Sequence, residues 1–144
     1  MRNEEMMKLL KIKPSHTRKI RHDKNSSLLM FPKFWEEEWE TKFVSFQINE
    51  DETIFVRQSD EENADDKLLN KTRNQYIRIP SKFMEENFHP QEFTLQMHKG
   101  ITKKSNYIVI KPTDIEKARI KARMPELLRQ KATQEKLKQQ KDMF

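Results

Sequence analysis

Two stretches of the chain carry the same succession of apolar and polar positions. In Asn74-Gln75-Tyr76-Ile77-Arg78-Ile79-Pro80, Ile77 and Ile79 alternate with Tyr76, Arg78 and Pro80, the period of a strand with one apolar side. Proline cannot extend a sheet ladder but suits the entry to a helix, so the strand is expected to stop at Pro80 and turn into a short helix. Ser81 is the predicted N-cap, and Phe83, Met84 and Phe88 form its apolar side. After the turn His89-Pro90-Gln91, residues 93–97 and 107–110 read as two further strands.

The same order occurs earlier. Leu28-Leu29-Met30-Phe31-Pro32 precedes Lys33-Phe34-Trp35-Glu36-Glu37-Glu38-Trp39, followed by strand-like residues 44–48 and 54–56. Pro32 answers Pro80; Lys33-Phe34 answers Lys82-Phe83, with Ser81 as an insertion; Glu36-Glu37 answers Glu85-Glu86, and Trp39 answers Phe88. Phe46-Gln47-Ile48 answers Leu95-Gln96-Met97, and Ile54-Phe55-Val56-Arg57 answers Ile108-Val109-Ile110-Lys111. Four elements in one order make an internal repeat. The aromatic residues Phe34, Trp35, Trp39, Phe83 and Phe88 could stack on bases, but at helical spacing they are expected in the core.

The flanking segments follow other patterns. Residues 3–12 form a short amphipathic helix capped by Asn3, with Met6, Leu9 and Leu10 on one side. Residues 15–24 are a basic arm holding Arg18, Lys19, Arg21 and Lys24. The matching place before the second repeat carries Lys67, Lys71, Arg73 and Arg78. Residues 58–66 hold Asp60, Glu61, Glu62, Asp65 and Asp66 with no base, and read as a flexible linker or as a phosphate mimic shielding the basic surface. The loop 98–106, with Lys99, Lys103 and Lys104, is longer than its counterpart 49–53. In the tail, Thr113-Asp114-Ile115-Glu116 is a capping-box pattern. Ile115, Ala118 and Ala122 give the first helix an apolar side; Pro125 breaks it; a polar second helix carries Leu127, Leu128, Ala132 and Leu137.

Composition narrows the function classes. The 144 residues are 36% charged and 34% hydrophobic with a mean hydropathy of -1.04, so one domain or two small ones with segments outside the core are expected. A net charge of +6 points to an anionic partner. There is no cysteine, which excludes disulfides and thiolate zinc sites and fits a reducing compartment. No apolar run approaches a membrane span, and a soluble cytoplasmic protein is expected. A single glycine, Gly100, excludes phosphate-cradling glycine-rich loops. His16, His22, His89 and His98 lack metal-ligand spacing. The Glu36–Glu38 and Glu85-Glu86 runs are read as first-turn acids that favour the helix dipole. Neither Ser26 nor Ser27 has a general base beside it. No catalytic residue, metal or cofactor is expected.

A strand ending in Ile-Pro, a helix and two strands, with Asn25-Ser26 and Asn74 leading into the first strands, resembles the AbrB/MazE swapped-hairpin family of DNA-binding proteins over residues 18–57 and 67–112. The glycine that precedes the asparagine in that family is replaced here by Lys24 and Arg73. The resemblance implies an α+β, mainly β fold: a swapped-hairpin AbrB-like β-barrel formed as an internal pseudo-dimer of two repeats, plus a C-terminal helical tail. The divisions are 1–14, 15–57, 58–66, 67–112 and 113–144. By position it implies DNA contacts from Arg18, Lys19, Arg21, Lys24 and Asn25 in the first repeat, and from Lys71, Arg73, Asn74 and Arg78 in the second. Three roles remain open: a sequence-specific duplex-DNA-binding transcriptional regulator acting on its own operon, an antitoxin-like protein holding a toxin with its tail, or an accessory DNA-binding protein of plasmid replication, partition or conjugative transfer. The tail's nine Lys and Arg against five Asp and Glu differ from the acidic tails of MazE-like antitoxins. It remains a candidate contact for another protein, for a second copy or for DNA.

Overall fold

The computed structural model of the protein describes residues 15–71 and 73–142; the helix expected over residues 3–12 lies outside them. The fold is α+β and mainly β. Ten strands run in the order β1 (His16–Lys19), β2 (Arg21–Asp23), β3 (Ser26–Met30), β4 (Phe43–Ile48), β5 (Ile54–Ser59), β6 (Asp66–Lys67), β7 (Leu69–Lys71), β8 (Asn74–Arg78), β9 (Glu92–His98) and β10 (Tyr107–Pro112). A short 3-10 helix, Lys33–Glu38, follows β3, and helix α1 (Ser81–Glu86) follows β8. Another 3-10 turn spans Lys103–Ser105, and helix α2 (Asp114–Asp142) ends the described chain.

The strands form two antiparallel sheets, ordered β1-β9-β10-β5-β4-β6 and β2-β3-β8-β7. Each half of the chain gives an edge strand to the other: β1 pairs with β9, and β6 with β4. The halves also meet at two central ladders. Leu29 faces Ile77, flanked by Leu28–Arg78 and Met30–Tyr76; Phe55 faces Val109, flanked by Ile54–Ile110 and Val56–Ile108. Exchanging the halves leaves both ladders and both strand orders unchanged. The backbone bonds outside the strands follow suit: Phe31 N–H donates to Gln75 O (2.8 Å) and Ile79 N–H to Ser27 O (2.9 Å).

One hydrophobic cluster fills the space between the sheets. It takes Leu29, Phe31, Trp35 and Trp39 from the first half, with Val44, Ile54 and Val56. From the second it takes Ile77, Ile79, Phe83, Phe93, Leu95, Ile108 and Ile110. The alternation of strand side chains accounts for this set, since every second residue of β5, β9 and β10 points inward. The residue that answers Phe83 is Trp35, not Phe34: each is the third residue after its proline, and both are buried, whereas Phe34 is 62% exposed. A six-residue 3-10 helix repeats every three residues, so only one of the two adjacent aromatics can face inward. Phe88 is half-buried.

Several local expectations are corrected. Pro80 occupies the N-cap of α1 with no side-chain cap bond, and Ser81 is its first helical residue. Glu85 and Glu86 therefore lie in the last turn of α1, where the dipole does not favour them; Glu86 is paired instead with Lys82 at 3.9 Å. The acidic stretch is shorter and better anchored than a free linker. Gln58 and Ser59 belong to β5, and Asp66 to β6. The Gln58 amide donates to Lys103 O (2.8 Å) and Asn106 O (3.0 Å), the Asp65 carboxylate accepts from Phe46 N–H (2.8 Å), and Asp60 pairs with Lys104.

Pro125 does not break the tail. Helix α2 continues through it, because the position is exposed and water can satisfy the carbonyl that loses its partner. Ile115, Ala118 and Ala122 face solvent. The docking side is instead Glu116, Ile120, Met124 and Leu127, with Ile120 and Met124 lining a groove shared with Phe88, Pro90 and Pro112. Half of the capping box forms: Thr113 Oγ1 accepts from Glu116 N–H (3.2 Å). The Glu116 carboxylate turns away to accept from Gln91 N–H (3.0 Å) and Arg119, while Thr113 N–H is taken by Glu92 O (3.2 Å). Those hydrogen bonds hold the buried Glu116 carboxyl below its usual pKa, with Arg119 the largest cause and burial opposing it.

Candidate nucleic-acid interface

The basic residues singled out in the sequence fall into two groups. The first lies on the six-stranded sheet. Lys19 is exposed on β1, opposite Glu92. Arg18, one residue back, is on the inward-pointing side of β1 with His16 and Ile20; it is half-buried, and one of its Nη atoms donates to the Thr17 carbonyl (3.1 Å). Arg18 is thus part of the packing around Phe93, its cross-strand neighbour, more than a free cation. His16 beside it meets the Trp35 ring edge-on, 5.1 Å between centroids. Burial first, and the Arg18 charge second, push the His16 pKa below its ordinary value.

The second group gathers at two hairpin tips. Strands β2 and β3 close between Asp23 and Ser26, with Lys24 and Asn25 as the two turn residues. This is the shortest hairpin connection, and it needs positive φ in the turn. Lys24 adopts it, at φ 54°, in the place where the AbrB-like pattern has glycine. Strands β7 and β8 close between Lys71 and Asn74, with Arg73 exposed at the tip. Asn25 precedes Ser26 as Arg73 precedes Asn74. In register, then, Arg73 corresponds to Asn25, and Asn74 corresponds to Ser26, not to Asn25 as the family resemblance implied.

The four-stranded sheet curls until its two outer strands touch. Lys71 of β7 forms an ion pair with Asp23 of β2, which brings the two tips together. The curl leaves a small second core on the side away from the main cluster: Leu28 and Tyr76 are buried there although neither belongs to that cluster. Arg21 reaches across β3 to this core, donating to the Tyr76 hydroxyl (2.9 Å) with its guanidinium 5.2 Å from the ring centroid. Arg78 shares that side and sits 3.7 Å from Asp66.

Nine candidates therefore divide by role. Lys24, Asn25 and Arg73 are exposed at the joined tips. Lys71, Asn74, Arg21 and Arg78 stand just behind them, held in place by Asp23, the hairpin ladder, Tyr76 and Asp66. Lys19 and Arg18 lie apart on β1. His22 is also exposed on β2, 2.8 Å from the Gln91 side-chain oxygen, and the sequence marks it only by its place between Arg21 and Lys24. Among the described residues no cluster of three or more His, Asp or Glu is placed to hold a metal ion, and no helix is long and apolar enough to cross a membrane. No protein-family model, curated protein or solved structure matches the chain.

Proposed function

We propose that the protein binds duplex DNA sequence-specifically through its two joined hairpin tips and acts as a transcriptional regulator. On this reading the chain is an AbrB/MazE-like swapped hairpin in which two repeats of one chain take the place of two subunits. The exchange of β1 and β6 between the halves supports that reading, as does the left-handed Lys24 at the glycine position. The observation that carries the function is the meeting of two basic tips through Asp23 and Lys71. Two-stranded ribbons fit the major groove, where Arg and Asn side chains can read base edges while lysines contact phosphate. Arg73 and Asn25 are the assigned base readers, Lys24 and Lys19 the phosphate contacts, and Arg21 and Lys71 the residues that fix the tips.

The test is a selection from random duplexes followed by anisotropy titration. Arg73→Ala should weaken the selected site by about 1–3 kcal/mol and relax specificity locally. Lys24→Ala should weaken all duplexes alike and reduce the salt slope by about one. Both positions are exposed, so folding should be unaffected. A well-folded double variant that binds as tightly as the wild type overturns the assignment.

A further inference from the structure

The outer side of the six-stranded sheet carries a cluster that duplex binding by the tips does not use. Ile54, Val56, Ile108 and Ile110 are buried in the core, so the alternating Phe55, Arg57, Tyr107 and Val109 point the other way. The ladder sets them in rows. His98, Tyr107, Arg57 and Ser45 lie side by side across β9, β10, β5 and β4; the next row is Gln96, Val109, Phe55 and Gln47. The His98 and Tyr107 rings are stacked, 5.1 Å apart and 11° from parallel. Phe55 lies 5.6 Å from Tyr107, and the Arg57 guanidinium covers both, 4.9 Å from the Tyr107 centroid and 5.5 Å from Phe55.

These rings are half-buried and in contact with one another and with Arg57, on strands whose core is supplied by the opposite side. Solvent-facing positions of an antiparallel sheet are ordinarily polar. Scattered apolar residues there need no explanation, but three contiguous rings, two of them under a guanidinium, do. Their surroundings are amide and cationic: Gln47, Gln96, Arg57 and Lys111 are all exposed. The one acid on this side of β4, β5, β9 and β10 is Glu92, at the start of β9, and its carboxylate accepts from the Thr113 hydroxyl at 2.9 Å. Helix α2 packs elsewhere, against Phe88, Pro90 and Pro112. Rings on adjacent strands of an open sheet, bordered by exposed cations and amides, match unpaired bases joined by phosphates. Bases stack on the rings or on the arginine plane, and the cations meet the backbone.

We propose that this sheet surface binds single-stranded DNA, with bases stacked on Tyr107, His98 and Phe55 and phosphates held by Arg57 and Lys111. The preference for DNA over RNA rests on the duplex-binding reading; the surface itself does not. A second copy of the chain is the weaker occupant, because it would bring a net charge of +6 and these same cations against their own kind.

The test uses the full chain and a labelled oligothymidylate, read by anisotropy at low salt, beside an oligouridylate and a duplex. The wild type should bind oligothymidylate. The double variant Phe55→Leu/Tyr107→Leu keeps apolar volume but removes two stacking faces, and should bind at least about tenfold more weakly. Arg57→Glu, at an exposed position, should lose binding with both rings in place. Arg73→Ala should leave it unchanged. The proposal is overturned if the wild type does not bind oligothymidylate, or if either the leucine variant or Arg57→Glu, folded by circular dichroism, binds it normally. It is also overturned if only oligouridylate is bound, or if the leucine substitutions turn a dimer into a monomer in sedimentation. Binding to the duplex alone sinks this proposal and leaves the tips; binding to oligothymidylate alone does the reverse.

Discussion

Leu29 and Ile77 face each other where the two halves meet, 0% and 1% exposed, and each is in the shared cluster. Truncating either to alanine should remove stability from the whole molecule, not from one half. Buried Leu→Ala and Ile→Ala changes cost about 2–5 kcal/mol, the larger values falling where the surroundings cannot collapse. Here the site is a sheet centre within the one cluster that also holds Trp35, Phe83 and residues of the second sheet, so about 3–4 kcal/mol is expected for each. At roughly 2.1 cal/mol/K per residue the unfolding entropy is about 0.3 kcal/mol/K, so each variant should melt about 10 °C lower. The pair should be coupled by about 0.5–3 kcal/mol in a double-mutant cycle, since both substitutions open one cavity. Tryptophan fluorescence is the decisive probe, because Trp35 and Trp39 are both in the first half and Ile77 is in the second. In Ile77→Ala the fluorescence midpoint should fall with the circular dichroism midpoint in urea. A tryptophan transition that stays where it was in the wild type, or a melt that splits in two, refutes the shared core.

Two further outcomes follow from local chemistry. Because burial and Arg18 lower the pKa of His16 in the folded state, the unfolded chain takes up that proton more readily. His16 therefore gives its full contribution above its ordinary pKa near 6.5 and loses it as the pH falls below; His16→Phe should flatten the melting temperature over pH 7 to 5, and an unchanged slope rejects the assignment. In helix α2 residues 128–138, which follow the half-buried Leu127, are all exposed. Removing residues 129–144 should hold the melting temperature within a few degrees while weakening specific and random duplexes equally; unfolding on truncation would show that the tail belongs to the core.

What the sequence made legible was what alternation and repetition control. The four long strands β4, β5, β9 and β10 lie where apolar residues recur at every second position. The pairing of Ile48 with Ile54 and of Met97 with Ile108 bears out the residue-by-residue match of the halves in that region. Legibility failed where geometry depends on a single residue or a distant partner. Phe34 and Trp35 are adjacent aromatics, and only the 3-10 geometry decides between them. Pro125 is tolerated because its surroundings are water. The Thr113–Glu116 motif satisfies the local capping pattern, but the free Gln91 N–H, distant in sequence, captures the carboxylate. At the candidate site, basic residues were legible as a group. That Arg21 would be spent on Tyr76 and Lys71 on Asp23 was not, because both contacts join strands from different halves.

The halves agree where they are buried and differ where they are exposed. Leu29 and Ile77, Phe31 and Ile79, Trp35 and Phe83, Ile54 and Ile108 are matched apolar positions of one core. At the tips, Arg21 stands opposite Leu28 as Leu69 stands opposite Tyr76, and Asn25 corresponds to Arg73. Most telling is the pair that joins the tips. Next to a true two-fold axis a residue meets its own copy, so an aspartate would face an aspartate and a lysine a lysine, each repelled. Joining two unequal repeats in one chain lifts that constraint, and Asp23 meets Lys71 instead. If the tips bind DNA as proposed, the same inequality gives them different readers, an asparagine on one and an arginine on the other. Asn pairs bidentately with adenine and Arg with guanine. A duplex site read by such tips is two different half-sites lying close together, and a perfect palindrome would satisfy only one of them.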